Sequence, residues 1–180
     1  MIMLQNLFRS RSGERPVRVG DALYALAVDQ ARTPAFYTTL GVADRIDARF
    51  ELYTLHVLLL VMRLRDGSEQ GGDAGQALFD TYVSALDHAL RELGVGDISV
   101  GKKMRKLGEA LYGRMTAYEQ PLKDGDVAAL AAALARNVYE DEAAPGAPAL
   151  ARYALASRAT LAAQAFDAVV QGPHWAGVTA

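Results

Sequence analysis

Residues 94–106, which read GVGDISVGKKMRK, contain the stretch that comes closest to a site for chemistry. From Gly96 the run G-D-I-S-V-G-K-K is one residue short of the phosphate-binding loop G-x-x-x-x-G-K-[ST]. That loop requires a β-strand before it and a Ser or Thr after its lysine to hold magnesium. Here the preceding residues have helical spacing, and Lys103 follows Lys102. We therefore interpret the stretch as a turn leading into a helix and not as a nucleotide site.

The helix that follows this turn carries a cluster of cations. Four of them lie off its apolar face and are expected to project into solvent: Lys102, Lys103, Arg105 and Lys106. Positive charge in the first turns of a helix opposes the helix dipole, so the cluster is locally unfavourable. Two interpretations stay open, an anionic partner such as RNA or lipid head groups, and a solvated charged face.

Other residue types that support catalysis or metal binding are sparse. The chain has no cysteine, its three histidines (His56, His88 and His174) are scattered, and no Glu-x-x-His pair occurs. No serine lies in the strand–turn–helix elbow of a nucleophilic site. The sequence therefore predicts no catalytic residue, no metal site and no cofactor, and favours a protein that is not an enzyme. His56 lies in an apolar helix, where a hydrogen-bonded core histidine is the favoured interpretation.

The elements that must position these residues are predicted to be helices. Apolar residues recur at spacings of three and four, and no segment alternates with a period of two. We predict an all-α fold, a single compact domain of about six to seven helices, and a flexible loop at residues 66–75. The expected helices cover residues 21–31, 34–41, 44–65, 78–93, 100–122, 127–139 and 148–171.

Length and composition set the domain organisation and limit the partners. We expect a flexible basic arm at residues 1–18, a helical domain at 19–172 and a C-terminal tail at 173–180. The net charge of −2 favours no general attraction to DNA. The longest apolar run, residues 55–62, is far short of the roughly 20 residues that span a bilayer. Because the chain lacks cysteine, which suits a reducing compartment, we expect a cytoplasmic location, with the basic arm in peripheral contact with a membrane surface.

Two long blocks of the sequence resemble the ubiquinol–cytochrome c chaperone family. They are QARTPAFYTTLGVADRIDARFELYTLHVLLLVMRL at residues 30–64 and ALFDTYVSALDHALRELGVGDISVGKKMRKLGEALYGRMTAY at residues 77–118. With NVY at 137–139, the likeness spans about residues 19–139. Ala43, Arg45 and Ala48 depart from the proline, small polar residue and glycine that many relatives have there. The short chain, rich in alanine and glycine, is similar to bacterial members.

The resemblance implies an assembly chaperone that binds newly made cytochrome b during biogenesis of the cytochrome bc1 complex, ubiquinol–cytochrome c reductase. It implies no small-molecule substrate, and it adds the ribosome and a small partner protein as further contacts. Such a client requires an apolar groove. The candidate aromatics for it are Phe36, Tyr37, Tyr112 and Tyr118, each of which also suits the core. The alternative function is a ribosome-, RNA- or membrane-surface-binding adaptor that uses the cations at 102–106.

Overall fold

Helices make up the architecture throughout the part of the chain that the structure, a computed structural model, describes: residues 14–66, 69–92 and 97–180. These residues contain no β-strand, which confirms the predicted all-α fold. Six of the eight α-helices described are at least eight residues long. The helices are α1 (Glu14–Ala31), α2 (Pro34–Thr38), α3 (Ile46–Arg65), α4 (Glu69–Glu92), α5 (Asp97–Asp124), α6 (Val127–Leu134), α7 (Ala147–Ala162) and α8 (Phe166–Gln171).

Helix α3 lies at the centre of the fold. Thirteen of its 20 residues are buried, and α1, α4, α5 and α7 all pack around it. The reason is its composition, because the stretch from Leu55 to Leu64 has apolar side chains on almost every side of the helix. A helix of this kind cannot lie on a surface, so its neighbours must enclose it.

The polar groups of α3 are bonded within the core. The hydroxyl groups of Thr54 and Tyr82 are 2.7 Å apart. His56 Nδ1 is 2.7 Å from the Leu52 carbonyl oxygen, which can only accept, so this nitrogen carries the proton and donates. His56 Nε2 then accepts from the Tyr153 hydroxyl at 2.8 Å. The prediction of a hydrogen-bonded core histidine is confirmed.

The loop predicted at 66–75 is wrong over residues 69–75, where α4 has already begun. Gly71, Ala74 and Gly75 are buried, and Gly75 lies against Leu64 and Val61 of α3. Small side chains allow the two helices to approach closely, and this packing outweighs the low helix propensity of glycine.

The last predicted helix, residues 148–171, is divided into α7 and α8. Arg63 of α3 explains the break, because its guanidinium donates to the carbonyl oxygens of Leu161 and Gln164 at the end of α7. These are carbonyls that a helix end leaves without intrahelical partners. The chain then turns back, and Trp175 packs edge-on against His56 with ring centroids 5.1 Å apart. Residues of the segment expected to be a tail thus contact the core.

Two further boundaries differ from those expected. Helix α1 begins at Glu14 and not at Asp21, so it includes the end of the segment expected as a basic arm; residues 1–13 lie outside the described residues. Helix α6 continues as a π-helical turn, Ala135–Tyr139, which Glu140 ends with a positive φ of 55°. The Tyr139 hydroxyl there donates to the Leu40 carbonyl oxygen at 3.0 Å.

Replacement of Gly20 by alanine is expected to weaken the contact between α1 and α4. A Cβ at this position would overlap the Ala77 carbonyl oxygen and would lie 2.8 Å from Thr81 Oγ1, so the helices must separate. We expect the free energy of unfolding to fall by about 1–3 kcal/mol, as for other overpacked sites. Gly113→Ala is the matched control, since nothing lies within 4 Å of its added Cβ. The free energy of unfolding of this control, measured by chemical denaturation, should rise by up to about 1 kcal/mol. Equal effects of the two substitutions would contradict the close packing of α1 against α4 at Gly20.

Protonation of His56 is expected to destabilise the protein at low pH. Burial lowers the pKa of His56 to about 4 in the folded chain, against roughly 6.5 in an unfolded one. The stability contributed by the neutral ring is therefore complete above about pH 6.5 and is lost as the pH falls towards 4. Relative to His56→Gln, which cannot titrate, the wild type should lose about 3 kcal/mol of unfolding free energy across this range. If the free energies of unfolding of the two proteins, measured in urea, change with pH in the same way, the predicted effect of His56 protonation is wrong.

Candidate functional site

An apolar groove of about 360 Å³ lies between α4 and α5. Its lining is almost entirely hydrocarbon and thioether, with one cation at the edge. Helix α4 contributes three side chains at helical spacing, and α5 contributes the rest. The residues are Phe79, Val83, Leu86, Met104, Arg105, Leu107, Gly108, Leu111, Tyr112 and Met115. A groove of this kind binds apolar side chains and offers few groups that could polarise or protonate a substrate.

The basic cluster adjoins the groove. Arg105 belongs to the lining, and Lys102, Lys103 and Lys106 are exposed on the same turns of α5. Arg105 forms a long contact of 3.9 Å with Glu109, and both side chains are largely exposed. The three lysines have no ion-pair partner among the residues described. The apolar and basic features predicted separately from the sequence thus form one continuous surface.

A partly buried ion pair joins α5 to the central helix beside the groove. Arg114 of α5 donates through Nε to Glu51 of α3 and lies 5.7 Å from the ring centroid of Phe50. Burial raises the pKa of Glu51 to about 7, and the charge of Arg114 opposes this effect. Met115, the next residue of α5, points into the groove. The position of the groove floor therefore depends on the pairing of α5 with the central helix.

The outer part of the α4–α5 hairpin is much less enclosed than its base. Tyr82 on α4 and Leu111 on α5 are fully or almost fully buried. Between these two residues, no side chain that the structure describes is buried. The groove thus begins at the packed core and extends along a hairpin that stands in solvent.

The aromatic residues proposed for the groove do not come together. Tyr112 lines the groove and is 41% exposed. Phe36 and Tyr118 are 0% exposed in the core. Tyr37 is half-buried on α2, where its hydroxyl donates to the Ala31 carbonyl oxygen at 3.0 Å. Of the four, Tyr112 alone lines the groove.

Sequence reasoning missed the α4 side of the groove. Phe79, Val83 and Leu86 recur at spacings of four and three, which indicates one helix face but not whether that face is covered. The same ambiguity applies to the Met104–Leu107–Leu111 stripe of α5, which reads equally well as core. Only the relative placement of the two helices shows that their apolar faces meet incompletely.

The structure also bears on other kinds of site. Residues 97–103 are helical, so Gly101 and Lys102 lie within α5 and not in a phosphate-binding loop. Within the described ranges, no group of three or more His, Asp or Glu side chains is arranged to hold a metal ion. No helix in these ranges is both long and apolar enough to cross a membrane.

Comparison with known proteins agrees with the helical fold. The model of the family described as ubiquinol-cytochrome C chaperone matches residues 38–175. The crystal structure of the Cbp3 homolog from Brucella abortus is similar over 98% of each chain, with a TM-score of 0.82 and 34% sequence identity. No protein of curated function was found to match. The extent of the family match shows that this chain belongs to the ubiquinol–cytochrome c chaperone family.

Proposed function

We propose that this protein is an assembly chaperone that holds newly made cytochrome b during biogenesis of the cytochrome bc1 complex. Its client-binding site is the groove between α4 and α5. The observation that carries the proposal is an open apolar groove with a cationic edge in a member of this family. Its role is to bind and not to catalyse, and it acts at the inner face of the cytoplasmic membrane, where cytochrome b is inserted.

The chemistry of the groove suits a segment of a membrane protein. A transmembrane helix that has not yet been inserted exposes apolar side chains, which water solvates poorly. An apolar groove on a helical hairpin can take such side chains at helical spacing, as in other complexes where a helix lies in a groove. Met104 and Met115 supply flexible, polarisable thioethers, which adapt to side chains of different shape.

A carboxylate placed in the groove should abolish client binding. In Tyr112→Glu the new charge lies among apolar side chains, where its desolvation opposes occupancy by a client segment. We expect the amount of cytochrome b that is recovered with the purified chaperone after cell-free synthesis to fall at least about tenfold. In cells that lack the native gene, the same variant should leave the assembled bc1 complex depleted.

Thr116→Glu is the matched control for this experiment. It adds the same charge one turn further along α5, at an exposed position that does not line the groove. Cytochrome b binding by this variant should equal that of the wild type. If both variants bind normally, or if deletion of the gene leaves bc1 levels unchanged, the proposed function is wrong.

A second candidate function rests on the three unpaired lysines. Lys102, Lys103 and Lys106 form a concentrated positive charge on a chain whose net charge is negative. Such a patch attracts phosphate groups, so the protein would act as an adaptor at the ribosome or at the anionic membrane surface. A small partner protein is a further contact that the family resemblance implies. Binding beside the groove would bring the chaperone to the place where its client emerges.

Substitution of all three lysines by glutamine distinguishes binding to ribosomal RNA from binding to an anionic lipid surface. If the patch contacts RNA, less of the variant should sediment with ribosomes. The slope of the logarithm of affinity against the logarithm of salt concentration, measured between about 50 and 200 mM, should become shallower by an amount that corresponds to about two to three lost phosphate contacts. If it contacts lipid, flotation with vesicles that contain phosphatidylglycerol should fall, while phosphatidylcholine vesicles serve as the neutral reference. Wild-type behaviour in both assays would assign the lysines to a solvated face.

A further inference from the structure

A second surface with the composition of a binding site lies at the junction of α1, α2 and α3. It is formed by Arg32, which follows α1, Tyr37 of α2, and Ile46, Arg49 and Tyr53 of α3. We call these five residues the arginine–tyrosine surface. None of them lines the groove between α4 and α5.

The two arginines of this surface are held by tyrosine rings. Arg32 Nε donates to the Tyr53 hydroxyl at 3.1 Å, and its guanidinium carbon is 5.9 Å from the Tyr53 ring centroid. The guanidinium carbon of Arg49 is 5.8 Å from the ring centroid of Tyr37. Arg49 Nε also donates to Asp44 at 2.6 Å. Both planar cations are thus oriented before any partner arrives, which lowers the entropy lost on binding.

Arg32 has unused binding capacity. Its Nε is bonded to Tyr53, whereas the N–H groups on its two Nη atoms have no partner among the residues described. The bond to Tyr53 raises the pKa of Arg32, so its charge is permanent. Asp44 is paired with Arg49, and Asp29 acts on Arg32 only through electrostatic attraction, without a direct ion pair. The free N–H groups of Arg32 match a carboxylate, which a guanidinium can bind through two parallel hydrogen bonds.

An apolar side chain adjoins these cations. Ile46 is 72% exposed, although isoleucine is among the residue types most often buried. Ile46, Arg49 and Tyr53 are spaced by three and four along α3 and therefore share one face of the helix. Exposed aliphatic, tyrosine and arginine side chains in one patch are typical of the energetic centre of protein–protein interfaces.

The arrangement fits a protein better than a nucleic acid. Base stacking requires free aromatic faces, but guanidinium groups lie over the rings of both Tyr37 and Tyr53. The hydroxyls of both tyrosines are also engaged in hydrogen bonds within the chain. An exposed isoleucine contributes nothing to phosphate binding, whereas it can be covered by an apolar side chain of a partner.

We infer that the arginine–tyrosine surface docks an acidic segment of a partner protein, with a carboxylate on Arg32 and an apolar side chain against Ile46. The site is separate from the proposed client groove. The chaperone can therefore hold this partner and its client at the same time.

A photo-crosslinking experiment in growing cells tests this inference. The probe is p-benzoylphenylalanine at position 46, which the exposure of Ile46 allows without disturbing the core. The crosslinked peptide is mapped by mass spectrometry, synthesised and titrated against the purified full chain. We expect a peptide that contains Asp or Glu beside an apolar residue. Its affinity should fall about tenfold in Arg32→Gln and by the same factor when its acidic residues are amidated.

Matched controls exclude general charge effects. Arg152→Gln removes an exposed arginine from α7 and should leave the affinity unchanged. Arg32→Gln should likewise leave cytochrome b binding at the groove unchanged, so failure of this inference can be told apart from failure of the proposed function. The inference is overturned if position 46 crosslinks to no protein, if it crosslinks to nucleic acid, or if Arg32→Gln and Arg152→Gln weaken peptide binding equally.

Discussion

The burial of most of α3 is the constraint on which the rest of the structure depends. Polar groups on the buried part of this helix cannot reach water, so they need partners within the protein. Thr54 is bonded to α4, His56 to α7 and Glu51 to α5. Arg63 bonds the carbonyls at the end of α7. These directional contacts set the rotation and height of each surrounding helix, which apolar packing alone would leave less well defined.

The site inherits its geometry from this arrangement. The pairing of Arg114 with Glu51 fixes the middle of α5, and Met115 then faces α4. The apolar faces of α4 and α5 meet at the core and leave a groove beyond it. The surface that we propose for the client is thus an extension of the core, left open where the central helix ends.

The fold class and the core could be predicted from the sequence because they depend on periodicity. The apolar stripes, the central helix and the buried state of His56 follow from spacings of three and four. The loop prediction was wrong over residues 69–75 because local propensity takes no account of tertiary contacts; the burial of Gly71 and the packing of Gly75 against α3 favour a helix there. The break after Ala162 depends on Arg63, which lies far away in sequence.

The candidate site was predictable only in part. The basic cluster was identified because its cations lie off the apolar face of the predicted helix, whereas Tyr112 was one of four aromatics named for the groove that the family resemblance implies. Phe36 and Tyr118 could not be told from groove residues, since an aromatic side chain in a helix suits either environment. The arginine–tyrosine surface was not predicted at all. Arg32 lies in the turn after α1 and Tyr53 in α3, and only the packing of α1 against α3 brings them together.

The absence of buried side chains between Tyr82 and Leu111, within the described part of the hairpin, gives the groove a mechanical character. The hairpin is packed into the core at its base, and no described side chain beyond Tyr82 and Leu111 is buried. A change in the separation of α4 and α5 there breaks few contacts, so we expect the groove to widen or narrow at little cost in free energy. A groove with low stiffness holds side chains of unequal size with similar affinity. For the client that we propose, we therefore expect one apolar segment to be released and the next to be bound without an energy source.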